Sequence, residues 1–193
     1  GPTFLEDVYA ASDRYAEELE DQLNERIFDQ VFLELATGLY ENHMRTHAPD
    51  NPDAPLDDVY RATLRLLYRL LFLLYAEARD LLPLDNDGYA RHSLTRLAAN
   101  AQETLVNSTT LSTRHTNLYN DLQALVRTID QGDPDLDVPA YNGGLFDTDN
   151  PANALLDSHS IGERYMVRAL VHLTALDPED HPTGAQVDYK ALD

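Results

Sequence analysis

The chain has 193 residues, 43% of them hydrophobic, which is enough for one sizeable core and excludes global disorder. It contains no cysteine, so disulfides, thiolate metal sites and a cysteine nucleophile are excluded. Acidic residues outnumber basic ones 34 to 14, for a net charge of -20, and Lys190 is the only lysine.

Three readings of that charge compete. Abundant Asp with almost no Lys fits halophilic adaptation, in which acidic surfaces stay hydrated and salt screens their self-repulsion. A charge mimic binding a basic partner is the second reading, and an acidic module of a larger protein the third. No signal-peptide pattern is present, and the most apolar run, Leu64–Ala76, is too short and too interrupted by Arg65 and Arg69 to span a bilayer. The expected location is cytoplasmic, with no membrane partner.

In chain order, residues 4–47 step their apolar positions by three and four and read as a long helix or helix pair with a break near Asn24; Gly38 weakens its end. The Pro49–Pro55 stretch is loop. Asp57 is the expected N-cap of a helix reaching Leu82, before Pro83, and apolar enough to have neighbours around nearly all of it. After a turn at 85–88, Ser93 caps a helix to Val106, and a further helix over 114–131 closes at Gly132. An irregular loop follows over about 132–151, with a short helical turn at 153–156. Ser160 caps a last helix over 161–175, and 177–184 is loop. The predicted class is all-α: an antiparallel bundle of about five to six helices. It is expected to form a single domain over 1–193, with an N-terminal part at 1–48, a core at 56–175 and a tail at 176–193 leading to a following domain.

Several patterns suggest chemistry. His43 and His47 stand at i and i+4, a metal-ligand spacing, but Met44 occupies the place where a zinc-protease helix carries Glu. An ordinary pair at a helix C-terminus is the competing reading. Asp133-Pro-Asp-Leu-Asp137 begins like a calcium loop and then fails at Val138 and Gly144. Asp188-Tyr-Lys190 has a nuclease-like D-x-K spacing with no strand before it, and reads as coincidence. Arg61, Arg65 and Arg69 share a helix face and are expected to pair with acids. Glu77, with Arg79 beside it in an apolar segment, needs a partner, and an arginine of a neighbouring helix is expected.

The most distinctive stretch is Pro139-Ala-Tyr-Asn-Gly-Gly-Leu-Phe-Asp147. Asn142, Gly143 and Gly144 tolerate positive φ and predict a sharp turn, with Tyr141, Leu145 and Phe146 anchoring it to helices. The surrounding aspartates argue against phosphate binding, so the expected role is a structural pin.

Taken with Leu70–Pro83 and Val187–Asp193, this stretch resembles, in order and spacing, the helical region before the methyltransferase core of type IIG restriction-modification enzymes and related phage-defence DNA adenine methyltransferases. The resemblance implies a non-catalytic connector. Its parent protein would transfer a methyl group from S-adenosylmethionine to adenine N6, with Mg²⁺ where a nuclease is also present. The partners implied are adjoining methyltransferase and nuclease domains in cis, and DNA through the parent. No catalytic or cofactor-binding residue carries over to this chain, because the Asn/Asp-Pro-Pro-Tyr/Phe motif and a Gly-rich cofactor loop are absent from it. The alternatives are a free-standing acidic adaptor for a basic protein and a metal-dependent enzyme using His43 and His47. The opening Gly1-Pro2-Thr3, without an initiator Met, adds to the expectation that the chain is part of something longer.

Overall fold

The computed structural model describes residues 18, 21–47, 53, 55–141 and 143–192. The expected helical start at 4–17 and most of the Pro49–Pro55 loop lie outside them. Helix α1, Phe32–His47, is entered through a π-helical turn, Ile27–Val31. Then come α2, Leu56–Ala78; α3, Asp87–Ala90; α4, Leu94–Asn107; and α5, Asn117–Gln131. Helices α6, Ala154–Ser158, and α7, Glu163–Thr174, are followed by strands β1, Ala175–Asp177, and β2, His181–Gln186. The class is all-α, with the two strands forming one small antiparallel ribbon. No described helix is long and apolar enough to cross a membrane.

The most enclosed helix is α7, which packs against α1, α4, α5 and the π-turn. Its Met166, Val167, Ala169, Leu170, Val171 and Leu173 are completely buried. Each large side chain among them contributes roughly 1.5–3 kcal/mol by leaving water. The sequence predicts that role for α2, whose interior is equally apolar. But α2 keeps a solvent face at Tyr60 and Tyr68, and packs on α1, α4 and α6. Gly38 marks the α1–α7 contact: a Cβ there would fall 2.6 Å from Ile161 Cγ2 and 3.1 Å from Tyr165 Cβ. The residue that reads as a helix weakener is what lets the two helices approach.

Helix ends depart from expectation for local reasons. Pro55, not Asp57, is the N-cap of α2; Asp57 and Asp58 lie in the first turn, where the helix dipole favours them. The helix stops at Ala78 because Asp80 turns left-handed (φ 57°) and Leu81 N and Leu82 N both donate to Ala76 O. Ser93 does cap α4, accepting from Arg96 N at 3.1 Å. Gly132 ends α5 at φ 74°, and a Cβ there would strike Ala140 N at 2.6 Å. Ser160 does not cap α7. Gly162 is the N-cap, and the first turn is satisfied by main chain: Glu163 N donates to His115 O and Arg164 N to Ser112 O.

The expected 132–151 loop contains a 3-10 turn at Pro134–Leu136, closed by paired bonds between Asp133 and Val138, and another at Pro151–Asn153. The expected loop at 177–184 is instead the β1–β2 turn and ribbon. Its pairing was not legible as alternation because β2 is largely exposed on both faces. The ribbon is held at its base by Gln102 Nε2, which donates to Thr174 Oγ1 and Gln186 Oε1, and by Arg26 Nη1, which donates to Ala175 O.

Gly38→Val is expected to destabilise the fold by about 1–3 kcal/mol, since backbone-linked atoms of α7 must move; a denaturant titration measures it. At the ribbon, His181 Nδ1 lies 2.9 Å from Asp177 Oδ2. That hydrogen bond raises the His181 pKa and lowers that of Asp177. The His181 contribution is present below its unfolded value and lost as pH rises through its raised folded value. The Asp177 contribution is present above its unfolded value and lost as pH falls through its lowered one. The contact is therefore tightest between about pH 4 and pH 6.5. An NMR titration is expected to give His181 a midpoint above that of a free histidine, removed by Asp177→Asn.

Candidate functional site

The 139–147 segment lies on α2 and is held by its main chain. Gly144 O accepts from Arg65 Nη2 (2.9 Å), Asn153 Nδ2 (3.0 Å) and Asn150 Nδ2 (3.1 Å). Leu145 O accepts from Arg69 Nε at 2.8 Å, and Tyr141 N donates to Ile129 O at 2.9 Å. Phe146 is fully buried with its ring edge-on to Phe72, centroids 5.3 Å apart. Tyr141 sits perpendicular to Phe146 and 5.0 Å from Phe72, yet remains 40% exposed. Asn142 lies outside the described residues.

The predicted use of positive φ at Gly143 and Gly144 is not observed; among the described glycines only Gly132 has it. At Gly143 a Cβ would lie 2.4 Å from Tyr141 Cε1, so a side chain there would have to displace the Tyr141 ring that folds over it.

The predicted pairing of the α2 arginines with acids holds only for Arg61, whose exposed Nη2 is 3.4 Å from Asp57 Oδ2. Arg65 and Arg69 instead clamp the 139–147 main chain. Arg65 Nε also donates to Oδ1 of the buried Asn153 at 2.6 Å, and Asn153 Nδ2 reaches Asp147 O at 2.7 Å. Arg69 is wholly buried, and its Nη1 and Nη2 have no hydrogen-bond partner among the described residues. Burial lowers its pKa, while the neighbouring Tyr119 and Asp157 act in the opposite sense.

Glu77 is 1% exposed, and its partner is not an arginine. Its carboxylate accepts from Leu94 N (2.9 Å), Thr95 N (2.8 Å), Thr95 Oγ1 (2.8 Å) and the Tyr89 hydroxyl (2.7 Å). The charge is thus placed on the N-terminus of α4, where free N–H groups and the helix dipole favour an anion. Burial, then the Glu77 charge, pushes the Tyr89 hydroxyl pKa far up, so it stays a donor. Arg79 stacks its guanidinium 4.4 Å from the Tyr75 ring centre and donates through Nη2 to Leu192 O (3.2 Å) and Lys190 O (3.4 Å).

The tail packs as well. Tyr189 is buried and its hydroxyl donates to Leu173 O at 2.6 Å. Asp188 Oδ1 accepts from Lys190 N at 3.0 Å, so the D-x-K pattern forms a turn and no strand pair. The 133–137 acidic run is likewise a capped turn, with Asp133 Oδ1 accepting from Asp135 N.

His43 and His47 are joined by a residue that sequence reasoning missed. Asn42 Oδ1 accepts from Ser160 N (3.2 Å), which brings the end of α1 against the α6–α7 junction and places His159 beside them. One ring nitrogen from each of the three lies within 4.8 Å of the others. His43 Nδ1 and His159 Nε2 are 2.7 Å apart. His159 is buried, His43 half-buried and His47 exposed. Burial, followed by the neighbouring His47 and His43, lowers the His159 pKa. The separation of 116 residues from His43 explains why no spacing rule connects the two.

Compared with known proteins, the chain matches no family model, no curated protein and no solved structure.

Glu77→Gln is expected to destabilise the fold by about 2–4 kcal/mol, because an amide NH₂ would face main-chain donors at the α4 terminus. Chemical denaturation measures it. Unchanged stability would show that the α4 terminus does not depend on the carboxylate.

Proposed function

We propose that this chain is a non-catalytic helical scaffold from a DNA N6-adenine methyltransferase of restriction-modification or phage-defence type, holding the methyltransferase domain, and a nuclease where one is present, in place on DNA. One observation supports the reading: the three segments that carry the family resemblance meet on one helix. Residues 70–78 belong to α2 itself. The 139–147 segment is fixed to α2 by Arg65, Arg69 and Phe72. The 187–192 segment is fixed just past its end by Arg79. Segments far apart in sequence are thus tied to one rigid element through main-chain carbonyls, an arrangement suited to transmitting position and not to binding a substrate. S-adenosylmethionine, and Mg²⁺ for any cleavage, would be held by the parent outside this chain.

The test is the coding sequence after Asp193 and the activity of its full-length product. The expected result is an Asn/Asp-Pro-Pro-Tyr/Phe motif and transfer of methyl groups from S-adenosylmethionine to adenine N6. A stop codon at that point would overturn the reading in favour of the acidic adaptor. In the full-length protein, Arg79→Ala is expected to slow methyl transfer by roughly ten- to a hundredfold through misplacement. Affinity for S-adenosylmethionine is expected to stay unchanged, as measured by calorimetry.

A further inference from the structure

We propose that His43, His47 and His159 form a binding site for one divalent transition-metal ion of the zinc type, clipping the C-terminal turn of α1 to the junction between α6 and α7. The inference does not depend on the scaffold reading above.

Convergence is the first ground. His43 and His47 lie one turn apart on the same face of α1, and His159 reaches them from a separate element that the Asn42–Ser160 hydrogen bond holds in register. Three nitrogens at about 2.1 Å from one tetrahedral ion stand about 3.4 Å from each other. The three histidines present their nitrogens within 4.8 Å of one another, the nearest pair at 2.7 Å, and their rings stand nearly parallel, 3° to 9° between planes, so seating an ion of this size takes rotation of the rings as well as shifts of about an ångström.

The outer hydrogen bonds are the second and independent ground. Thr46 has a single hydroxyl proton, and it goes to Asn42 O at 2.8 Å. The 2.7 Å contact between Thr46 Oγ1 and His47 Nδ1 therefore has the ring nitrogen as donor, which leaves the lone pair on His47 Nε2. His159 Nδ1 lies 3.1 Å from Leu155 O, a group that only accepts, and 2.7 Å from Ser158 Oγ. The proton is thus on Nδ1, and His159 Nε2 points its lone pair at His43. Metal-ligating histidines are oriented in this way, by a carbonyl or similar group that takes the proton of the other ring nitrogen. The His43–His159 hydrogen bond marks the place where an ion would be exchanged for a shared proton; His43 then ligates in the tautomer protonated on its other nitrogen.

The donor set selects the ion. Three imidazoles without a carboxylate suit Zn²⁺, Cu²⁺, Ni²⁺ or Co²⁺ and not Mg²⁺ or Ca²⁺. The exposed side of His47 leaves a fourth position for water.

The test uses the chelator-treated protein, titrated with ZnCl₂ in a buffer with excess Mg²⁺ to occupy the acidic surface, and with CoCl₂ followed by visible absorption. The expected result is one ion per chain, a rise in melting temperature as the ion saturates, and a cobalt spectrum of four-coordinate type. His47→Ala, at an exposed position that leaves the fold intact, is expected to weaken binding at least about a hundredfold, and His159→Ala likewise. Thr46→Val, which removes only the orienting hydroxyl, is expected to weaken it about tenfold. Absence of saturable one-to-one binding overturns the proposal. So does zinc uptake that His47→Ala leaves unchanged, since that uptake belongs to the carboxylate surface.

Discussion

The buried carboxylate of Glu77 at the N-terminus of α4 is the contact on which the architecture depends. It joins α2 to α4 and draws in Tyr89 from α3, using four donors that would otherwise need other partners. Isolated, the charge would be expensive to bury, and so would the free N–H groups it satisfies. Together they offset each other. The same device recurs once more: Thr116 makes no side-chain cap at α5, and Glu163 from α7 accepts from Leu118 N at 2.7 Å instead. N-terminal donors of two helices are therefore satisfied by carboxylates belonging to other helices, at α4 in addition to its own Ser93 cap, so the placement of these helices depends on the packed whole.

The arginines follow a parallel logic. In a chain this acidic, ion pairing would be the easy use for them, yet Arg26, Arg65, Arg69 and Arg79 all donate to main-chain carbonyls of distant segments. A guanidinium presents several fixed donors on a plane and stays charged when buried, which suits it to holding irregular main chain that lacks a ladder of its own. Three of these four lie on or at the end of α2, and the segments they hold are 139–147 and 187–192. Main-chain clamping also explains why the 139–147 segment needs few regular bonds. Its geometry comes from Gly144 O, Leu145 O and the Phe72–Tyr141–Phe146 ring cluster.

The histidine trio has a different character. It stands where α1 meets the α6–α7 junction, beside the Asn42–Ser160 hydrogen bond and near the Gly38–Ile161 packing contact. An acidic surface would draw cations of every kind toward the protein, but only convergent neutral nitrogens discriminate among them.

By itself the sequence determined the helical class, because apolar spacing at three and four is a local property that each segment carries alone. It also determined the Ser93 cap and the Gly132 terminator, whose signals lie next to the ends they control. It marked Glu77 as a charge in need of a partner, and His43 and His47 as a pair on one face. Only the tertiary structure decided who the partners are. The partner of Glu77 is a helix terminus, whose donors leave no trace in residue identity. His159 is separated from His43 by 116 positions. Gly38 and Gly143 each have another side chain lying over them, and neither has a positive φ. The β1–β2 ribbon leaves no alternation in the sequence because β2 is largely exposed on both faces. Local physics is written in neighbouring residues, whereas the fit between distant surfaces exists only once the chain has folded.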